Sequence, residues 1–202
     1  MIRLAGPGDE FRIAEIFAAA FADSISFYAP GGVSLGLLAL WPELARRAEP
    51  EALLVKADAE GTIQGYIFSP SQTGRLWRIA LTPGYLTRVI RRLLEEGLPW
   101  RRLPLGKLLG NKLWFWRTDR GHGTPARILS LAVDPGAHGR GYGRELLAAG
   151  LSYLRAKGCP VVTLEVRPDN APARQLYQMA GFAVVGETRD AQGPWIIMQR
   201  DL

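Results

Sequence analysis

The stretch VDPGAHGRGYGRELL, residues 133–147, decides the fold of this chain. It follows an apolar run that predicts a buried strand, and it leads into a leucine-rich segment that predicts a helix. Four glycines stand between residues 136 and 143. Because glycine loses more conformational freedom on folding than any other residue, four of them at one turn indicate a backbone with a special task.

The order strand, glycine turn and helix is typical of a site for an anion. Gly139, Gly141 and Gly143 lack Cβ atoms, so neighbouring backbone N–H groups can point into one concavity. The following helix adds its unpaired first N–H groups and the positive end of its dipole. Arg140 and Arg144 can add charge. The turn therefore predicts a cradle for a phosphate group.

Two common phosphate loops do not fit this spacing. The dinucleotide-binding loop reads G-x-G-x-x-G, whereas these glycines read G-x-G-x-G, and the next strand runs on into Arg167 instead of the ribose-binding acid. A Walker loop needs G-K-[ST], which the turn lacks. A glycine turn with only a structural role stays open at this point, because such turns are common.

The hydrophobic pattern elsewhere alternates strands and helices, which favours an α/β sheet covered by helices. We expect one helix over Phe11–Ile25 capped by Asp9, and one uninterrupted strand over Ala126–Val133. Two further helices are expected in the basic region, at Leu86–Gly97 and Lys107–Trp116.

A second stretch, LEVRPDNAPARQLYQMAGF, follows at residues 164–182. Together with ILSLAVDPGAHGRGYGRELL, residues 128–147, it resembles the GNAT superfamily of acyl-CoA-dependent N-acetyltransferases. The turn signature of that superfamily, [QR]-x-x-G-x-[GA], is matched by residues 138–143 except that His138 stands at the first position. The second signature, an Asn before a helix with Leu–Tyr and a closing Gly–Phe, is met by Asn170, Leu176, Tyr177, Gly181 and Phe182.

The resemblance implies an α/β fold with a mixed, mostly antiparallel central sheet, a V-shaped splay and helices on both faces. We expect a single domain over residues 1–202, with a basic, mainly helical insertion at about residues 72–125. Between Arg75 and Arg120 stand eleven basic residues and three acids, whereas the whole chain carries a net charge of +6.

The resemblance also implies roles for particular residues. The pantetheine arm of acetyl-CoA would pair with the strand backbone, and the pyrophosphate would sit on the glycine turn. Asn170 would meet the pantetheine or hold the following loop, and Tyr177 would protonate the departing thiolate. The cofactor-binding residues are thus Leu131, Ala132, Val133, His138, Gly139, Arg140, Gly141, Tyr142, Gly143, Arg144 and Asn170. His138 is expected to preserve binding, because this position mostly contributes a main-chain N–H.

The general base is not assigned by the sequence. Glu165 is as readily interpreted as a salt-bridged strand residue, and His122 is a lone loop histidine. A water relayed through Ser130 or backbone carbonyls is the third candidate. The acceptor pocket is expected from the variable parts of such folds, here about residues 22–42 and 187–195.

The composition excludes several classes of protein. With 48% hydrophobic and 22% charged residues, the chain is typical of a globular protein. The longest apolar run, residues 33–41, is shorter than the roughly 20 residues that span a bilayer. The N-terminus lacks the pattern of a signal peptide, so we expect a cytoplasmic protein. The lone Cys159 excludes intramolecular disulfides and thiolate clusters, and no metal is expected.

The predicted function is acetyl transfer from the cosubstrate acetyl-CoA to a primary amine of a small molecule or peptide, by direct attack in a ternary complex. The alternative is a non-catalytic acyl-CoA-binding sensor module. The basic insertion raises nucleic acid binding as a third hypothesis, which is less favoured than a solvated basic face. The acceptor, the acyl chain length and the formation of a homodimer stay open.

Overall fold

The computed structural model describes residues 1–95 and 126–202. In these ranges the strands are β1 (Ile2–Leu4), β2 (Leu53–Ala57), β3 (Ile63–Phe68), β4 (Arg127–Ile128), β5 (Ser130–Val133), β6 (Val161–Val166), β7 (Ala183–Asp190) and β8 (Gly193–Asp201). The helices are α1 (Glu10–Ala20), α2 (Ala22–Tyr28), α3 (Leu35–Leu38), α4 (Leu40–Ala48), α5 (Thr73–Ala80), α6 (Pro83–Glu95), α7 (Tyr142–Ala156) and α8 (Ala171–Met179). The helix predicted at Lys107–Trp116 and the candidate base His122 lie outside the described residues.

Two four-stranded sheets share one stretch of chain. The first has the order β1-β2-β3-β5 and the second β4-β6-β8-β7. Neighbouring strands are antiparallel except for β4 and β6, which are parallel. Because β4 leads directly into β5, the two sheets continue into one another. The prediction of a mixed, mostly antiparallel sheet is confirmed.

The strand predicted over Ala126–Val133 is in fact interrupted at Leu129. The N–H of Leu129 donates to Phe68 O at 3.0 Å, yet Phe68 pairs in register with Ser130. Two residues of one strand therefore oppose one residue of β3, which is a β-bulge. Before the bulge, β4 pairs with β6; after it, β5 pairs with β3 alone. The divergence of β5 from β6 is the predicted V-shaped splay.

Helices α1 and α7 cover opposite faces of the first sheet. Successive residues of a strand point to opposite faces. Leu54 and Ile67 pack in one apolar cluster with the leucines of α7, whereas their neighbours Val55 and Tyr66 pack in another with Ile13 of α1. This confirms the expectation of helices on both faces.

The predicted helix over Phe11–Ile25 is two helices, and Asp9 does not cap the first. Phe21, with φ of −119°, separates α1 from α2. The Asp9 carboxylate accepts hydrogen bonds from Arg3 at 2.6 and 3.0 Å and from the N–H of Gly6 at 2.7 Å. Its oxygens thus close the preceding turn, because a guanidinium on β1 competes for them.

The described part of the basic segment is helical. Helix α5 was not predicted, and α6 begins at Pro83, before the predicted Leu86. Proline suits the first turn of a helix, because the missing N–H would be unpaired there. Among residues 1–95 and 126–202, no helix combines the length and apolar character that crossing a bilayer requires.

Gly65 provides a test of the packing between β3, β5 and α7. A Cβ at this position would stand 2.9 Å from Ala132 O and 3.0 Å from Leu146 Cδ1. We expect Gly65→Ala to lower the free energy of unfolding by about 1–3 kcal/mol, because over-packing forces backbone shifts. Denaturant titrations measure the change.

Gly74→Ala is the matched control, since a Cβ there meets no atom within 4 Å in the described residues. Gly74 lies in α5, where alanine is the better helix former, so this variant should be neutral or slightly stabilised. Equal stabilities of the two variants would contradict the close approach of β3 to β5.

Candidate active site

A cavity of about 560 Å³ opens in the splay between β5 and β6. Its walls come from the junction of α1 and α2, from residues 128–131, from residues 165–170 after β6, and from the turn between β7 and β8. Tyr177 of α8 completes the lining. The cavity therefore includes parts of both segments, about residues 22–42 and 187–195, that were expected to form the acceptor pocket.

Strand β5 presents the polar backbone groups of alternate residues to the splay. The N–H of Asp134 donates to Gln64 O at 2.8 Å. This bond fixes which residues of β5 direct their backbone N–H and C=O groups towards β3. The alternation of an antiparallel pair then directs the backbone groups of Ala132 to β3 and those of Leu131 and Val133 to the splay. Of the three predicted pantetheine partners, Leu131 and Val133 have backbone groups on the cavity side.

His138 folds back on the end of β5. Its Nε2 lies 3.0 Å from Val133 O, so a protonated Nε2 donates to that carbonyl. The backbone N–H of His138 faces Pro135 O at 3.4 Å, which is a long contact. The side chain thus joins the strand end to the glycine turn, a role that the sequence did not predict, and it occupies a carbonyl expected for pantetheine.

The glycine turn presents a run of unpaired N–H groups. Gly139 and Gly141 have φ of +77° and +79°, where a Cβ would be strained. The hydrogen bonds of α7 begin with Arg144, whose N–H donates to Gly141 O at 3.0 Å. Within the described chain, the N–H groups of residues 139–143 donate to no acceptor. The turn and the helix end are therefore suited to an anion.

The remaining residues of the turn have separate tasks. Gly143 lies inside α7, where a Cβ would stand 3.5 Å from Leu176 Cδ2, which is an ordinary van der Waals contact between α7 and α8. Arg140 and Arg144 are exposed and form no ion pair with a described residue. Lys56 Nζ lies 4.8 Å over the ring of Tyr142. Both arginines remain available to a bound anion.

Tyr177 lies at the cavity wall with its ring in the core. The residue is 7% exposed, and its ring packs edge-on against Phe182 at a centroid distance of 5.8 Å. Burial raises the pKa of the Tyr177 hydroxyl to about 12. The group is therefore a neutral O–H hydrogen-bond donor at physiological pH.

Asn170 caps helix α8. Its Oδ1 accepts from the N–H of Ala173 at 3.1 Å, and the residue also lines the cavity. The bond satisfies one of the unpaired donors of the helix start. Both roles implied for Asn170, contact with pantetheine and holding the following loop, stay predictions.

Glu165 is engaged in a buried ion pair. Arg127 Nη2 lies 2.8 Å from Glu165 Oε1, and the two side chains are 7% and 9% exposed. The Glu165 carboxylate is thus the salt-bridged strand residue that the sequence left open. Ser130, the other described candidate, shares a 2.7 Å hydrogen bond with the hydroxyl of Tyr66. In the ranges that the structure describes, no cluster of His, Cys, Asp and Glu could hold a metal ion.

Sequence reasoning missed a polar network on the acceptor side of the cavity. Arg167 donates to Gln192 Oε1 at 2.6 Å and to the Asp190 carboxylate at 3.2 Å, and its guanidinium lies 3.9 Å over the ring of Trp195. The hydroxyl of Tyr28 donates to Asp190 Oδ2 at 2.9 Å. An arginine after β6 and an acid at the end of β7 were the available signals, but only the fold brings them together.

Asp190 gives this network a pH dependence. Burial opposes its ionisation, but the surrounding hydrogen-bond donors and the charge of Arg167 outweigh burial and lower its pKa below the ordinary 3.8. Because the folded-state pKa is the lower one, the carboxylate stabilises the fold above about pH 4, and this contribution is lost as the pH falls through the folded value.

We therefore expect Asp190→Asn to be less stable than the parent chain near neutral pH, with a difference that shrinks on acidification to about pH 2. Denaturant titrations over this range measure the difference. A gap that stays constant at all pH values would show that the carboxylate charge contributes nothing.

The comparisons with known proteins agree with this geometry. The model of the Acetyltransferase (GNAT) family matches residues 18–182. The mycothiol acetyltransferase of Beutenbergia cavernae is 45% identical over 80 residues, which are 40% of this chain and 26% of the relative. That of Saccharopolyspora erythraea is 44% identical over 70 residues, 35% of this chain and 23% of the relative. The matched stretches thus span about a quarter of the length of these curated relatives.

Solved structures share the whole fold. The crystal structure of SsHAT superimposes with a TM-score of 0.72 at 23% identity, covering 100% of this chain and 97% of the other. The structure of yncA, a putative acetyltransferase from Salmonella typhimurium with acetyl-CoA, has a TM-score of 0.62 at 20% identity and covers 100% and 93%. The family model spans most of the chain, and the chain therefore belongs to the acetyltransferase (GNAT) family.

Proposed function

We propose that this protein transfers an acetyl group from acetyl-CoA to a primary amine. The observation that carries the proposal is the convergence of three features at one cavity. The unpaired N–H groups of the glycine turn lie at one end of β5, the backbone of Leu131 and Val133 follows the splay, and Tyr177 stands at the wall. The names of the relatives support a coenzyme A thioester as the donor.

In this proposal the glycine turn binds the diphosphate of acetyl-CoA through the N–H groups of residues 139–143, and Arg140 and Arg144 add charge. The pantetheine arm then enters the splay and pairs with Leu131 and Val133. Because Val133 O already contacts His138, the arm either uses the Val133 N–H or displaces that ring. The arm fills the gap that β6 leaves open beside β5. In this proposal the chain forms a single domain over residues 1–202, with an insertion at about residues 72–125.

The reaction joins the amine nitrogen to the thioester carbonyl and breaks the C–S bond. Holding both reactants in one cavity removes the entropic cost of their encounter. A strand N–H that faces the splay, from Leu131 or Val133, donates to the carbonyl oxygen as negative charge develops there. The leaving group is the CoA thiolate, and the amine must lose one proton.

Tyr177 assists departure of the thiolate. Its pKa of about 12 lies above the roughly 8.5 of a thiol, so complete proton transfer to sulfur is unfavourable. Its main contribution is therefore a hydrogen bond to the sulfur that strengthens as charge accumulates in the transition state.

The acceptor side is acidic. Asp23 and Asp169 line the cavity, are exposed and form no ion pair with a described residue, whereas Glu165 and Asp190 are paired with arginines. Free carboxylates at the mouth favour the approach of an amine, which is a cation before it reacts. With Glu165 held by Arg127, we propose that the amine loses its proton to solvent at this mouth.

Tyr177→Phe tests the role of the hydroxyl. The ring remains against Phe182, so we expect coenzyme A affinity to persist while kcat falls about 10²-fold or more. Thiol release from acetyl-CoA with a panel of primary amines gives the rate. Tyr85→Phe is the control, because its hydroxyl donates to Leu40 O and does not line the cavity.

Two outcomes would count against the proposal. Undiminished turnover in Tyr177→Phe would remove the hydroxyl from the mechanism. Tight binding of acetyl-CoA by the parent chain, with no turnover for any amine, would favour the non-catalytic sensor instead.

Arg140→Glu tests the diphosphate cradle. Reversing a charge beside the unpaired N–H groups should weaken coenzyme A binding about tenfold, which corresponds to about 1.4 kcal/mol. Arg155→Glu makes the same charge change at an exposed site at the other end of α7 and should leave the affinity almost unchanged. Calorimetric titration with coenzyme A measures both. Similar losses in the two variants would indicate a general charge effect and no local cradle.

A further inference from the structure

A second cavity, of about 290 Å³, lies beside the first. Its walls are mainly aromatic and aliphatic, with Thr73 and Arg127 among the polar members, and they come from α1, α4, β3, α5 and the segment from β4 to β5. The large apolar side chains among them are Phe17, Trp41, Leu44, Phe68, Leu76 and Trp77. Concave, mostly apolar sites with a few polar groups are where proteins bind small apolar groups.

The two cavities are adjacent at the bulge. Phe21, Leu129 and Ser130 line both of them. Leu129 and Ser130 are the two residues that oppose Phe68, and Phe21 is the break between α1 and α2. The second cavity therefore borders the first at the point where β5 leaves β6.

The direction of the cosubstrate follows from the proposed function, on which this inference rests. With the diphosphate at residues 139–143, the pantetheine arm runs along β5 from Val133 towards Ser130. The thioester then lies at the bulge end of the splay. Carbons that continue beyond the thioester carbonyl meet the lining that the two cavities share.

We propose that the second cavity receives the acyl chain of acyl-CoA donors longer than acetyl. Its volume of 290 Å³ is close to that of ten water molecules at about 30 Å³ each, which is room for a chain of roughly four to eight carbons. Each methylene that leaves water for an apolar site gains about fourfold in affinity at most. The protein therefore prefers medium-chain acyl-CoA to acetyl-CoA while it transfers both.

Calorimetric titration with coenzyme A, acetyl-CoA, butyryl-CoA and hexanoyl-CoA tests this without an acceptor. The expected result is an affinity that rises from acetyl to hexanoyl by up to about fourfold per methylene. An affinity that is flat or falls with chain length overturns the inference and leaves the proposed function intact. Failure of all four compounds to bind contradicts the proposed function itself.

Leu76→Trp and Leu44→Trp fill the cavity from two different walls. Each should abolish the gain with chain length and leave acetyl-CoA affinity unchanged within about twofold. Leu81→Trp is the control, because Leu81 closes α5, is 57% exposed and does not line the cavity. Persistence of the chain-length effect in both filled variants places the acyl chain elsewhere and overturns the inference. The inference is also overturned if the filled variants bind apolar amines more weakly while the affinities for the four coenzyme A compounds stay as in the parent chain. The cavity would then bind the acceptor.

Discussion

The β-bulge at Leu129–Ser130 is the constraint on which the rest of the site depends. By setting two residues against Phe68, it ends the pairing of β4 with β6 and turns β5 towards β3. The wedge that opens between β5 and β6 exposes backbone groups of Leu131 and Val133, which a continuous sheet would have paired. A polar edge inside a protein needs a partner, and a bound pantetheine arm would supply one.

Two sets of polar contacts flank the wedge. On one side, the buried pair of Arg127 and Glu165 joins β4 to β6 where the strands last pair. On the other, Arg167 links the end of β6 to the end of β7, where Asp190 also accepts from Tyr28 of α2. Breaking a buried ion pair leaves an uncompensated charge, so the loss of either partner is costly. Glu165, one of the candidate bases, is thus part of the contact that joins β4 to β6.

The local sequence predicts the backbone conformation of the glycine turn but not all of its contacts. Its conformation depends on nearby residues: Gly139 and Gly141 adopt positive φ, and α7 begins directly after them. The prediction of unpaired N–H groups at this turn follows from such local rules, and the structure has them. The contact of His138 with Val133 O could not be read from spacing, because it depends on the path of the 3-10 turn at Pro135–Ala137.

The sequence by itself determined the family, the glycine turn, the order of strands and helices after residue 126, and Tyr177 on its helix, because short-range rules and two spaced motifs carry that information. Only the tertiary structure decided the break at Leu129, the engagement of Glu165 by Arg127, and the network around Asp190. It also decided that an apolar cavity adjoins the site. These features are contacts between residues far apart in the chain, and periodicity along one segment does not report which distant segment packs against it.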